Sequence, residues 1–146
     1  MPLRRTVTSL SLRAIWAIVL ASACSGGTDT TAPATSVSIV GTWTLQSVNG
    51  ASLPYLMDQS GADKSEMTSD VLTFLATGQF TEIAQVRLTS GGQVTTTSVP
   101  QAGTYAANKG TVVLTFAGSD TQARGTQTGA TLAVAINGLA FVYQKQ

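Results

Sequence analysis

The sequence contains no histidine and only one cysteine, Cys24. Without histidine, the chain can build neither a Ser-His-Asp or Cys-His catalytic arrangement nor an imidazole metal site. A single cysteine excludes an intramolecular disulfide, the bond on which many small secreted domains depend. We therefore expect a protein that is not an enzyme, that holds no cofactor or metal, and that is stabilised by its apolar core.

Charged residues are also scarce, at 10 % of the chain, and the formal net charge is +1. Three basic residues, Arg4, Arg5 and Arg13, precede Cys24, whereas all seven acidic residues follow it. The part after Cys24 therefore carries five basic and seven acidic residues, a net charge of −2. A weakly acidic domain lacks the basic surface that nucleic acid requires, so we expect no nucleic-acid partner.

Several acidic residues cluster in sequence: Asp58, Asp63, Glu66 and Asp70. They could supply oxygen ligands to Ca²⁺, but their spacing matches no calcium loop and Lys64 intervenes, which favours a solvated acidic loop. Glu82 and Arg87 could form a polar pair inside a barrel. Because they lie five residues apart, on opposite faces of an unbroken strand, surface positions are favoured.

The N-terminal segment joins a basic head to a short apolar run, Ala14 to Leu20, and then to small residues before Cys24. This order is typical of an export signal, and the run is shorter than the roughly 20 apolar residues that a membrane-spanning helix needs. We expect residues 1–23 to be a signal-peptide helix. Residues 24–36, rich in Gly, Ser, Thr and Pro, predict a flexible tether.

The residues Ala21-Ser22-Ala23-Cys24 resemble the bacterial lipobox. The resemblance implies cleavage after Ala23 and attachment of diacylglycerol to the thiol of Cys24. The lipidated N-terminus would then anchor the protein to a membrane. Because Ser25 follows the cysteine, the outer membrane is favoured, and we expect a location at the bacterial cell envelope.

From Val37 onwards, apolar and polar residues alternate with period two, which is typical of half-buried strands. Residues 51–70 interrupt the pattern and predict a long loop with a helical turn at residues 54–59. Turn sequences such as Asn49-Gly50 and Asn137-Gly138 favour hairpins between antiparallel neighbours. The predicted strands are 37–48, 71–76, 79–89, 93–99, 103–106, 111–117, 121–126, 131–136 and 139–144.

These eight or nine strands predict an antiparallel up-and-down meander, whose two edges would be exposed unless the sheet closed. At about eight strands, a closed barrel has an interior that side chains fill or that holds one small ligand. We therefore predict an all-β domain over residues 37–146, folded as a barrel or strongly curled sheet with its first strand beside its last. A two-sheet sandwich is the alternative.

The motif Gly41-Thr42-Trp43 resembles the Gly-x-Trp sequence that opens lipocalin barrels. The resemblance implies a lipocalin-like barrel in which Trp43 closes one end beneath a late basic residue, for which Lys145 is the candidate. The longer sequence Trp-x-Leu-x-Ser-x-Asn-Gly is also similar to META-type envelope lipoprotein domains, whose later Gly-Cys-Asn motif is absent here.

The candidate ligand contacts are aromatic and apolar side chains: Trp43, Tyr55, Met57, Phe141 and Tyr143. We expect Trp43, Phe141 and Tyr143 at one end of the core, and Tyr55 and Met57 at a barrel mouth, which they would plug. The predicted function is non-catalytic binding of a small apolar ligand by a lipid-anchored envelope protein. The alternative is a structural or protein-interaction lipoprotein with a filled barrel. The sequence predicts no oligomeric state.

Overall fold

The computed structural model describes residues 37–146, so the predicted signal-peptide helix, the tether and Cys24 lie outside the described residues. In the described part, every regular element is a β-strand, and no helix is long and apolar enough to cross a membrane. The strands are β1 (Gly41–Val48), β2 (Ala51–Ser52), β3 (Tyr55–Ser60), β4 (Asp63–Phe74), β5 (Gln79–Ser90), β6 (Gln93–Asn108), β7 (Thr111–Phe116), β8 (Gln122–Thr128), β9 (Thr131–Ile136) and β10 (Leu139–Lys145).

Eight of the strands close into an antiparallel barrel. Strands β4 to β10 pair in chain order, and β1 closes the circle by pairing with both β10 and β4. Trp43 on β1 lies opposite Lys145 on one side and opposite Leu72 on the other. The predicted barrel with its first strand beside its last is confirmed, and the sandwich alternative is wrong. Closure gives each barrel strand two neighbours, so no whole strand of the barrel is left as the free edge of an open meander.

The region predicted as a loop, residues 51–70, is largely strand. β2 pairs with the end of β1, and β3 forms a hairpin with the first half of β4. The predicted helical turn at residues 54–59 is therefore wrong. Two bulges, one in β3 near Met57 and one in β4 near Thr68, shift the register and break the period-two pattern, which hid both strands in the sequence.

β6 joins two segments that the sequence separated, 93–99 and 103–106. The predicted gap at residues 100–102 is wrong because β5 pairs with β6 without interruption there, whereas β7 pairs only with the later part of β6, from Gly103 onwards. On that side the earlier part of β6 is an edge, and an edge tolerates a residue without a backbone N–H.

The Asn-Gly turns are confirmed. Asn49 and Gly50 have φ angles of 51° and 78°, and Asn137 and Gly138 have 51° and 80°. Two successive positive φ angles are characteristic of the tight hairpin turn that matches the twist of antiparallel strands. The turns therefore fix the register of β1 with β2 and of β9 with β10.

One end of the barrel, here called the closed end, is filled by the buried side chains of Trp43, Phe74 and Phe80, and beside it lie residues 37–40, here called the cap segment. Side chains of β1, β8 and β10 hold it by donating hydrogen bonds to its carbonyl groups: Trp43 Nε1 to Ile39 (2.8 Å), Gln127 Nε2 to Val37 (2.7 Å) and Lys145 Nζ to Ser38. Lys145 Nζ also lies 5.5 Å from the centroid of the fully buried Trp43 ring, within cation–π range. The lysine-over-tryptophan contact implied by the resemblance is thus present.

Near this end, β6 and β7 approach so closely that only glycine fits at position 103. A Cβ atom on Gly103 would lie 2.1 Å from the carbonyl oxygen of Thr115 and 2.7 Å from Cε1 of Phe80. The Phe80 ring is itself fixed by an edge-to-face contact with Phe116, with the centroids 5.3 Å apart.

Gly103→Ala should destabilise the barrel by about 2–3 kcal/mol, because the backbone of β7 must move away to make room for the methyl group. Urea unfolding followed by tryptophan fluorescence measures the change. Ala102→Ser is the matched control: its side chain is exposed on the outer face of the same strand, so a change within about 0.5 kcal/mol is expected. An equal effect of the two substitutions would contradict the close approach.

Candidate functional site

The barrel encloses a cavity of about 250 Å³ between the closed end and the opposite, open end. Its walls come from β3 to β10 and are mainly apolar. The lining residues are Met57, Met67, Leu72, Glu82, Ala84, Val86, Val99, Gln101, Leu114, Phe116, Ala123, Val134, Ile136, Phe141 and Tyr143. The cavity opens to solvent beside Met57 and Val99, which are 41 % and 39 % exposed, whereas Ala123 in its wall is fully buried.

Three of the five predicted contact residues line this cavity: Met57, Phe141 and Tyr143. Tyr55 is absent from the lining; it packs against the core, and its hydroxyl accepts a hydrogen bond of 3.2 Å from the side-chain amide of Asn49. The predicted position of Tyr55 in a loop is wrong, since Tyr55 begins β3.

Trp43 also lies outside the cavity. The register places Trp43 opposite Lys145 but Phe141 opposite Val48, at the other end of β1. The prediction that Trp43, Phe141 and Tyr143 share one end of the core is therefore wrong for Trp43. Phe141 and Tyr143 do stack, with ring centroids 6.5 Å apart.

Two neighbouring carboxyl groups lie inside the barrel: Glu82 lines the cavity, and Asp70 is buried outside the cavity lining. Asp70 on β4 is 1 % exposed, and its Oδ2 accepts a hydrogen bond of 2.8 Å from the hydroxyl of Tyr143. Glu82 on β5 lines the cavity, and its carboxyl group lies close enough to Asp70 for the charge of Asp70 to raise its pKa. The other oxygen of Asp70, Oδ1, is buried and has no hydrogen-bond partner among the described residues.

The environment of this pair favours its protonated forms. Burial and the nearby charge of Asp70 raise the pKa of Glu82 from 4.5 to about 8. Burial also raises the pKa of Asp70, although the hydrogen bond from Tyr143 opposes that shift. Burial, together with the Asp70 charge, raises the pKa of Tyr143, which keeps its hydroxyl a donor. Near neutral pH, Glu82 is therefore mainly protonated.

The favoured surface position is wrong for Glu82, and the solvated-loop interpretation is wrong for Asp70, because both face the barrel interior. The solvated-loop interpretation is also wrong for Glu66, which lies on β4 and is only 9 % exposed. The surface position is confirmed for Arg87, which binds Glu66 outside the barrel: Arg87 Nη2 lies 2.9 Å and Lys64 Nζ 3.1 Å from Glu66 Oε2. Lys64, and with it Arg87, lowers the pKa of Glu66. The ion pairs therefore occupy the outer face of the hairpin, and the protonated pair occupies the interior.

The sequence did hold a signal for the interior pair. Asp70 lies two and four residues before the buried Leu72 and Phe74 on its strand. Glu82 lies two residues from each of the buried Phe80 and Ala84. Residues that are two or four positions apart along a strand point to the same face, so the spacing places both carboxylates on the apolar face. Among residues 37–146, no group of three or more acidic, cysteine or histidine side chains could hold a metal ion.

No protein-family model matches the chain, and no curated protein sequence matches it. Among solved structures, a similar chain is an uncharacterized protein from Bacteroides eggerthii DSM 20697, whose crystal structure was determined at 2.60 Å resolution. The two chains are 12 % identical, with a TM-score of 0.42 over 73 % of this chain and 98 % of that chain. At this level of similarity, the comparison assigns no function to the chain.

The carboxyl pair should make stability depend on pH. The folded protein binds the Glu82 proton more tightly than the unfolded chain does, so the free energy of unfolding should fall as pH rises from about 4.5 to about 8. One proton can contribute a slope of at most about 1.4 kcal/mol per pH unit. Urea unfolding at pH 5, 6, 7 and 8 measures this slope.

Glu82→Gln should flatten the slope between pH 6 and 8, because the amide does not ionise. Asp58→Asn is the matched control, since Asp58 is exposed on β3 and its removal should leave the slope of the parent protein. An unchanged slope in the Glu82 variant would show that this carboxyl titrates alike in the folded and unfolded chains.

Proposed function

We propose that this protein is a lipid-anchored lipoprotein of the bacterial cell envelope whose lipocalin-like barrel binds a small apolar ligand and catalyses no reaction. The observation that supports binding is the cavity of about 250 Å³ inside the barrel, closed at one end and open beside Met57 and Val99. Concave, mainly apolar sites with a few polar groups are typical of small-molecule binding.

The size of the cavity limits the ligand. Small-molecule pockets commonly measure about 300–1,000 Å³, so a cavity of about 250 Å³ suits a small ligand or the apolar part of a longer one. Aliphatic side chains such as Val134 and Leu114 form its walls, and burial of apolar ligand surface against them supplies about 25 cal/mol per Å². The polar side chains, Glu82, Gln101 and Tyr143, are few enough to orient a ligand.

The alternative function, a structural or interaction lipoprotein with a filled barrel, fits only the closed end. There, Trp43, Phe74 and Phe80 leave 1 % or less of their surfaces exposed. The open half retains unfilled, largely apolar volume, and protein interiors seldom keep such voids without use. The cavity therefore favours ligand binding over a purely structural role.

Filling the cavity tests the binding proposal. Ala84 lines the cavity and is 5 % exposed, so Ala84→Leu places extra carbon atoms where the ligand would lie. Fluorescence titration with the neutral apolar probe N-phenyl-1-naphthylamine should show binding to the full-length protein and at least tenfold weaker binding to this variant.

Ala106→Leu is the matched control for that titration, because Ala106 is exposed on the outer face of β6 and its enlargement should leave the probe's Kd unchanged. Thermal unfolding of both variants checks that each is folded at the titration temperature. Equal affinity of the parent protein and the Ala84 variant would exclude the cavity as the binding site.

The lipid anchor is tested at Cys24, the only thiol in the chain. Cells grown with an alkyne-labelled fatty acid should incorporate the label into the parent protein, and Cys24→Ser should abolish incorporation and release the protein from the membrane fraction. Ser25→Ala, beside the cysteine, is the control and should retain the label. Equal labelling of the Cys24 variant and its parent would exclude this site.

A further inference from the structure

The carboxyl pair at the cavity wall has no cationic partner among residues 37–146. Asp70 is 1 % exposed, its Oδ1 has no hydrogen-bond partner, and its neighbour Glu82 faces the cavity. Tyr143 supplies one hydrogen bond, to Asp70 Oδ2. When the pair holds a single proton, it carries a buried charge of −1. Such a charge is costly unless a cation or further donors compensate it.

The described basic side chains are engaged or positioned elsewhere. Lys64 and Arg87 bind Glu66 outside the barrel, and Lys145 lies over Trp43 at the closed end. Lys109 and Arg124 are exposed on the surface. None of them neutralises the pair, so a positive charge near it must come from outside the described chain.

The other groups that face the pair from neighbouring strands do not supply a charge. β6 contributes the neutral Gln101, and Glu82 and Tyr143 are the titratable side chains among the residues that line the cavity. Tyr105, also on β6, donates its hydroxyl to the carbonyl of Leu75 at 2.8 Å and is therefore engaged. The titratable groups around the pair are thus Asp70, Glu82 and Tyr143.

We propose that the ligand of this barrel is a small apolar amine, whose hydrocarbon part occupies the cavity and whose ammonium group lies against Glu82 and Asp70. This inference rests on the proposed function, since it names the chemical class that the cavity accepts. A monocation neutralises a pair that holds one proton, and an ammonium group in the cavity can donate a hydrogen bond to Glu82, the carboxyl that lines it. An apolar carboxylate would meet like charge in a low-dielectric site and be rejected.

A matched ligand series tests the head group. Hexylamine, hexanol and hexanoate share one hydrocarbon chain, so displacement of N-phenyl-1-naphthylamine from the full-length protein at pH 7 compares their head groups alone. We expect hexylamine to compete at least tenfold better than hexanol, and hexanoate to compete more weakly than either.

Substitutions identify the carboxyls as the cause. The double variant Asp70→Asn/Glu82→Gln should bind hexylamine no better than hexanol, with thermal unfolding as the check that it remains folded. Asp58→Asn removes one exposed negative charge of the same domain and should keep the amine preference. If the folded double variant kept the tenfold preference, the carboxyl pair would be excluded as the recognition site.

The pH dependence gives an independent readout. Hexylamine remains protonated between pH 7 and 9, as a lysine side chain does, whereas Glu82 loses its proton in this range. Its affinity should therefore rise between pH 7 and 9 as the pair gains negative charge. Glu82→Gln should remove that rise, and a rise that persisted in this variant would contradict the inference.

The outcomes separate this inference from the proposed function. If the neutral probe binds but hexylamine displaces it no better than hexanol or hexanoate does, the amine inference is overturned and apolar binding stands. If neither the probe nor any of the three six-carbon ligands binds the folded protein, both proposals are overturned.

Discussion

The pairing of β1 with both β4 and β10 is the constraint on which the rest of the structure depends. It joins the first strand to the last and fixes the register of the wall, with Trp43 opposite Leu72 and Lys145. Side chains alternate along a strand, so a slip of one residue would exchange the inner and outer faces. The register of closure therefore decides that Asp70 lies inside the barrel and that the ion pairs of Glu66 lie outside it.

Much of the fold could be predicted from the sequence, because two kinds of local signal agree. Asn-Gly turns marked two hairpins, and the alternation in Thr131–Ile136 gave the bounds of β9 without error. Both signals failed at residues 51–70, where bulges shift the register and much of the hairpin is exposed to solvent, so no continuous apolar face repeats every second residue. The predicted gap at residues 100–102 was wrong because β6 continues there, and Pro100 is tolerated since β7 does not pair with this part of β6.

The candidate site could be predicted only in part. Met57, Phe141 and Tyr143 line the cavity, but Trp43 was placed there through its motif, and its buried ring instead supports the closed end. Asp70 was assigned to a solvated acidic loop, and Glu82 to the surface because Arg87 lies five residues away, on the opposite face of an unbroken strand. Their spacing from buried apolar residues indicated the inner face, yet the side chain that hydrogen-bonds to Asp70 there, Tyr143, lies on another strand, β10. Such cross-strand contacts depend on register, which a single sequence does not specify.

The closed end makes the barrel a blind pocket with one route in and out. Met57 and Val99 are the exposed lining residues, whereas the buried Trp43 ring with Lys145 over it fills the other end, so we expect a bound molecule to enter and leave past Met57 and Val99. Entry and exit then share one barrier, which is set by the movement of side chains at the mouth. Among related ligands, differences in affinity should consequently be expressed mainly as differences in residence time.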